Sequence, residues 1–363
     1  MTLVASLHGS LAIACWLLLT AGARAESASV LTFANRPEFI AADTLQKFEA
    51  ESGIRVVYDT YADDDALITG LRKGNEAGWD LVVTSVVPAL AEIAHLVQPI
   101  GPIANRGNLD PWIMAVLAPV DPGNRLAVPY LWGTAGLAID LQRLRKSWPE
   151  APDDSLGLVF DPVLAARAAA CGVGVADSPE DVVPAVLAVL GRDPASGTAA
   201  DLAAVADRLE RLKPILRRLP ISEFTEALAS GTICVGFGPS TAISDARTIA
   251  ADREDGVALT YVVPRERARM WIDVLAIPAN APHPENARAL IDFLLRPEII
   301  GDITDWTGAA NPNLLATDFV DDDDKSDETV FPSAGSKARL FLPAPLGVDS
   351  NRMIAKLWAK TKP

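Results

Sequence analysis

Residues 128–139, Val128-Pro129-Tyr130-Leu131-Trp132-Gly133-Thr134-Ala135-Gly136-Leu137-Ala138-Ile139, form an unbroken apolar segment that meets no charge before Asp140. A run this apolar, opened by a proline and rich in strand-favouring residues, reads as a buried strand through the middle of the protein. A second segment of the same character, Trp271-Ile272-Asp273-Val274-Leu275-Ala276-Ile277-Pro278, follows much later. The pair has two readings. Either the chain crosses twice between two lobes, leaving a hinge and a cleft of the kind that binds small ligands, or both segments are core strands of one large sheet.

The chain's 363 residues are enough for about two domains. A net charge of −15 argues against nucleic acid as a partner. Residues 11–20 are an apolar run too short to span a bilayer, followed by Ala23-Arg24-Ala25, a small-residue cleavage site. Residues 1–25 therefore read as a secretory signal, although no Lys or Arg precedes the apolar run. Export removes Cys15 and leaves Cys171 and Cys234. In an oxidising compartment these are a candidate pair, or else two separate buried thiols.

The exported part opens with alternating strand and helix signals. Residues 29–33 read as a strand, and Asp43 is placed to cap a helix that carries Leu45 and Phe48 and stops at Gly53. Residues 54–58 are the next strand, Asp63 starts a helix with Leu67 and Leu71 in step, and Leu81-Val82-Val83 has the character of a central parallel strand. In such a βαβαβ unit ligands bind beyond the carboxyl ends of the strands, where Ser85 and a helix beginning near Pro88 would sit; a serine there also serves as a plain helix cap.

Further along, Asp177-Ser178-Pro179-Glu180 has the form of a capping box ahead of Val182, Val183, Val186 and Leu187. Residues 202–219 read as one amphipathic surface helix. Residues 233–237 read as a buried strand with a tight turn at Gly236, Gly238 and Pro239, residues 287–295 as a helix stopped by Pro297, and residues 321–324 as an acidic solvated loop.

Catalytic equipment is sparse. After export only His95 and His283 remain, far apart, so a histidine-based metal or nucleophile site has little material. There is no Gly-x-Ser-x-Gly elbow and no phosphate loop. The sequence implies no cofactor and no metal, and a binding protein rather than an enzyme.

Several segments together resemble a known family. They are Lys47-Phe48-Glu49, Gly53-Ile54-Arg55-Val56-Val57-Tyr58-Asp59-Thr60-Tyr61, Trp79-Asp80-Leu81-Val82-Val83, Asp121-Pro122-Gly123-Asn124, the first apolar segment, Cys171-Gly172-Val173, Asp177-Ser178-Pro179-Glu180, Ser230-Gly231-Thr232-Ile233-Cys234-Val235 and Leu294-Leu295-Arg296-Pro297. In combination they resemble the periplasmic polyamine (putrescine/spermidine)-binding proteins of bacterial ABC transporters, over essentially the whole exported chain. The resemblance implies an α/β, two-lobed periplasmic-binding-protein fold of type II, with two crossing strands as hinge and an interlobe cleft. Lobe 1 is expected at 26–132 plus 274–310 and lobe 2 at 133–273 plus 311–363. It also implies a Cys171–Cys234 disulfide, a monomer in the periplasm, a small polar ligand and an inner-membrane ABC permease as partner.

Five of the family's binding positions carry over: Ser85, Asp177, Glu180, Trp271 and Asp273. They would supply a hydroxyl, an aromatic wall and carboxylates for ammonium groups. Others depart. Arg36-Pro37-Glu38-Phe39 stands where the family has Trp-Ser/Thr-Asp-Tyr, Pro239 replaces a stacking Trp, Ala242 a carboxylate and Ala309 a Tyr. Two like charges about 4 Å apart repel by about 4 kcal/mol at an effective dielectric of 20, so Arg36 disfavours a polyamine unless Glu38 pairs with it or it points to solvent. The expectation is weak putrescine and spermidine binding and better binding of an amine-bearing zwitterion, with Asp273 on the amine and Arg36 on the acid. A same-fold receptor for a protein partner, and an exported enzyme, are the other readings.

Overall fold

The computed structural model describes residues 29–253 and 256–361; the signal segment, with Cys15, lies outside them. The strands are β1 (Val30–Asn35), β2 (Arg55–Thr60), β3 (Leu81–Ser85), β4 (Val97–Gln98), β5 (Ala127–Ile139), β6 (Val173–Ala176), β7 (Leu216–Leu219), β8 (Val235–Pro239), β9 (Thr260–Val262), β10 (Ala268–Pro278) and β11 (Leu340–Phe341). Their main path runs β2-β1-β3-β10-β5-β8-β6-β7.

Both readings of the apolar segments meet in this order. They are β5 and β10, antiparallel neighbours at the centre of one continuous path, and they are also the crossing. β5 pairs with β10 through Thr134, then with β8 from Ala135 to Ile139. All of its residues are buried, which is why the sequence has no charge there: an unpaired charge inside would cost several kcal/mol. On one side β1, β2 and β3 are parallel, as the opening βαβαβ signals require. On the other, β6 is parallel to both β7 and β8. Separate apolar clusters cover the two sides, one with Phe33, Phe48 and Phe293, another with Phe160, Phe237 and Trp358.

Local signals match the structure in most places. Asp63 caps the helix Asp64–Arg72 through the Ala66 N–H at 2.9 Å. Gly53 closes the helix Thr44–Ser52 in the left-handed region at φ 70°, a conformation that costs glycine little. At the start of that helix, however, Asp43 makes no capping bond; it pairs with Lys47 at 3.1 Å.

Four other expectations are corrected. The amphipathic helix is Ala199–Leu212, and residues 216–219 are strand β7, because Pro214 has no N–H with which to continue a helix. Gly236, Gly238 and Pro239 lie inside β8 and not in a turn. The Phe224 ring packs so closely there that a Cβ on Gly238 would lie 2.8 Å from it. The acidic run contains a one-turn helix, Asp322–Lys325. Ser178 does not complete a capping box: its hydroxyl donates to Asp181 at 2.6 Å and makes no bond to the helix N–H groups.

Cys171 and Cys234 are joined in a disulfide, with Cα atoms 5.6 Å apart. Cys171 ends the turn before β6 and Cys234 immediately precedes β8, so the bridge ties the starts of two paired strands.

Candidate functional site

A cavity of about 550 Å³ opens beside the crossing strands, at the carboxyl ends of β1 and β3. On the first-lobe wall, β3 ends at Ser85 and the helix Asp64–Arg72 begins at Asp64. The Ser85 hydroxyl donates to Asp64 Oδ2 at 2.5 Å and accepts from the Ala89 N–H at 3.3 Å. Arg36, just past the end of β1, reaches across to both neighbouring acids. Its Nη2 lies 2.9 Å from Asp64 Oδ1 and its Nε 3.3 Å from Asp273 Oδ2. Asp273, on β10, is 5 % exposed. Burial pushes its carboxyl up and the Arg36 guanidinium opposes that; Asp273 and then Asp64 raise Arg36 above its ordinary value. Arg36 thus neither pairs with Glu38 nor turns to solvent.

An aromatic wall continues from this point. Phe39 lies tilted against Trp271 at 6.2 Å and edge-on to Tyr130 at 6.5 Å. The Tyr130 hydroxyl donates to the Phe39 carbonyl at 2.9 Å, which fixes the loop that carries Arg36 and Phe39.

The second-lobe wall is the start of the helix Pro179–Val189. Glu180 is exposed there, on the wall of the cavity. The protein around it, and next the neighbouring Asp181, raise its carboxyl. Asp181 is 3 % exposed and is held by Arg269 of β10 at 2.6 Å. Asp177 is already engaged. Its Oδ1 accepts from the Trp358 indole N–H at 2.6 Å and lies 3.2 Å from Arg218 Nε.

Of the residues singled out in the sequence, Arg36, Phe39, Ser85, Asp177, Glu180, Trp271 and Asp273 come together on this cavity, as does Pro239. Glu38 does not line it; it is exposed, at φ 60°. Ala242 and Ala309 are buried in the apolar cores. His283 is held by the buried Asp80, which accepts its backbone N–H at 2.5 Å. Among the described residues no group of acidic, His or Cys side chains is arranged to hold a metal.

The chain matches the family described as bacterial extracellular solute-binding protein over residues 43–332. It belongs to that family. The putrescine-binding periplasmic protein SpuD of Pseudomonas aeruginosa is 34% identical over 94% of this chain and 94% of its own length. The putrescine-binding periplasmic protein PotF of Escherichia coli is 33% identical over 95% and 94%. Among solved structures, the spermidine/putrescine substrate-binding protein PotD of Streptococcus pneumoniae superposes with a TM-score of 0.76 at 23% identity, over 92% of this chain and 98% of that one. The fold is that of a type II periplasmic binding protein, and the location of this solute-binding protein is periplasmic.

Three partners of the cavity's side chains escaped the sequence reading: Asp64, Arg218 and Arg269. Asp64 had a partial local signal, because it follows the cap residue Asp63 at the start of its helix. Arg218 and Arg269 had none. Each meets its acid across a long stretch of sequence.

Proposed function

We propose that this chain is the solute-capturing component of a polyamine-type ABC transporter, closing two lobes on an amine-bearing cation and delivering it to an inner-membrane permease. One observation carries the reading: the cleft is lined by seven carboxylates and only two guanidiniums. Such an excess concentrates organic cations and repels anions, and the Phe39–Trp271 wall offers apolar faces for methylene groups. The names of the relatives SpuD and PotF point to the same ligand class.

The zwitterion arrangement expected from sequence loses its support, because Asp273 and Arg36 are bonded to each other and neither is free for its half of the ligand. The protein binds without turnover. We take the lobe boundary on β5 to lie where its partner changes after Thr134. The packing of Ala316 and Val330 with the first-lobe clusters supports counting the segment around them with lobe 1, whereas the sequence reading puts it in lobe 2.

Calorimetry of the exported protein against putrescine, spermidine, monoamines, zwitterions and dicarboxylates tests the reading. Amine-bearing cations should bind, more weakly at high salt. Binding confined to anions or neutral solutes would overturn it.

A further inference from the structure

The cleft already contains a cation of its own. Asp64, Asp273 and Ser85 converge from three separate elements, and the guanidinium of Arg36 fills the space between the two carboxylates. Nη2 is 2.9 Å from Asp64 Oδ1 and 3.4 Å from Asp273 Oδ1, and Nε is 3.3 Å from Asp273 Oδ2. The ring of Tyr61 lies 6.0 Å from the guanidinium carbon. The Arg36 and Asp273 side chains are 30% and 6% exposed, so the pair is held at the protein wall and screened only partly by water. A planar guanidinium that meets two carboxylates is preorganised, and less side-chain freedom is lost in holding it there than a lysine would lose.

An ammonium group arriving at this position would find both carboxylates taken and a like charge in place. At the second-lobe wall the situation is reversed. Asp177 and Asp181 have their own arginines, whereas Glu180 is salt-bridged to no cation among the described residues. Asp63 and Asp65, which also lack a salt bridge among the described residues, are exposed at the start of the helix Asp64–Arg72, so the inner cation position is occupied and Glu180 is the open acid of the second-lobe wall.

We propose that Arg36 is a specificity-determining residue: it occupies the inner cation position of the cleft, so that the protein selects a ligand with a single cationic end, held at Glu180, over a diamine. This rests on the reading of the cleft as an amine site. Freed of Arg36, the Asp64–Asp273–Ser85 set is an acceptor for a second ammonium group, supplied by two carboxylates and a hydroxyl.

The test is calorimetry of the full exported chain and its Arg36→Met variant with two probes that have the same number of carbons, putrescine and n-butylamine. In the wild-type protein butylamine should bind at least as tightly as putrescine. Arg36→Met should bind putrescine about a hundredfold more tightly, the scale of one ammonium–carboxylate pair in a partly desolvated site, and the preference between the two probes should reverse in favour of putrescine. Arg36→Met combined with Asp273→Asn should lose that improvement. If Arg36→Met does not fold, the wild-type preference between the probes decides the matter, together with Arg36→Lys, which keeps the charge and should still disfavour putrescine. Putrescine binding more tightly than butylamine to the wild type, with no improvement in Arg36→Met, would overturn the role of Arg36 and leave the amine reading standing. Failure of both amines to bind either protein would overturn both.

Discussion

Gly133 and Trp271 face each other across the two crossing strands with no room for a methyl group between them. A Cβ built on Gly133 would lie 2.5 Å from the Trp271 indole and 3.0 Å from Ser240 Oγ. The strand pairing sets this closeness, since Gly133 and Trp271 are partners in the β5–β10 register. The absence of a side chain on one strand is what gives the indole its place on the cavity wall.

Gly133→Ala should therefore push the indole into the ligand space. Overpacking of this kind typically costs about 1–3 kcal/mol, and ligand affinity should fall with it. Urea unfolding and calorimetry on the same variant check both effects; an unchanged affinity would show that the indole can move aside freely.

Glu180 and Asp177 should behave differently although they sit three residues apart. Glu180→Gln removes the second-lobe acid of the cleft that has no salt-bridge partner among the described residues and should weaken cation binding by about 1.5–3 kcal/mol, the scale of a hydrogen bond to a charged group. Asp177→Asn should change affinity little, because Arg218 and Trp358 already hold that carboxylate. Its effect should appear in stability instead. Equal losses of affinity in both variants would contradict this division.

Arg269 and Asp181 form the most enclosed ion pair of the cleft, with side chains 9% and 4% exposed. Arg269→Met leaves a buried carboxylate without its partner and should cost about 3–5 kcal/mol, whereas adding Asp181→Asn should recover part of the loss. A double-mutant cycle in urea measures the coupling.

The disulfide closes a loop with a sequence separation of 63. In the chain-entropy model this contributes about 4 kcal/mol, less where the unfolded chain retains structure. Cys171→Ser with Cys234→Ser should lower stability by about 2–4 kcal/mol. Thiol titration of the denatured, unreduced, exported protein should find no free thiol.

Asp324 gives a pH dependence with a definite sign. Burial, and next its neighbours Asp305 and Asp327, raise its carboxyl to about 6. Between its ordinary value and about 6 the folded state binds more protons than the unfolded state. The contribution is thus full at low pH and is lost as pH rises through 6. Because the group is partly solvated, it amounts to about 1 kcal/mol. Asp324→Asn should raise stability near pH 7 by about that amount and flatten the slope between pH 4 and 6. Thermal unfolding across that range, wild type against variant, is the measurement; parallel curves would assign the slope to other groups.

Much of the architecture could be read directly from the sequence, because its causes are local. Continuous apolarity marks β5 and β10 as buried, aspartate and glycine mark helix ends at Asp63 and Gly53, and the family resemblance brought Ser85, Glu180, Trp271 and Asp273 to one cleft. Where local reading failed, another side chain had claimed the signal. The Ser178 hydroxyl bonds the Asp181 carboxylate instead of leaving its oxygen to a helix N–H, and the glycines of β8 made room for Phe224 instead of a turn. The electrostatic state of the cleft was beyond the sequence altogether. Arg36 meets Asp273 across 237 positions of chain, Arg218 meets Asp177, and Arg269 meets Asp181. Sequence lists these charges, but a charge reaches its partner only through the register of strands that the tertiary fold brings side by side. Coulomb energy depends on that separation in space and on burial, neither of which is a property of spacing along the chain.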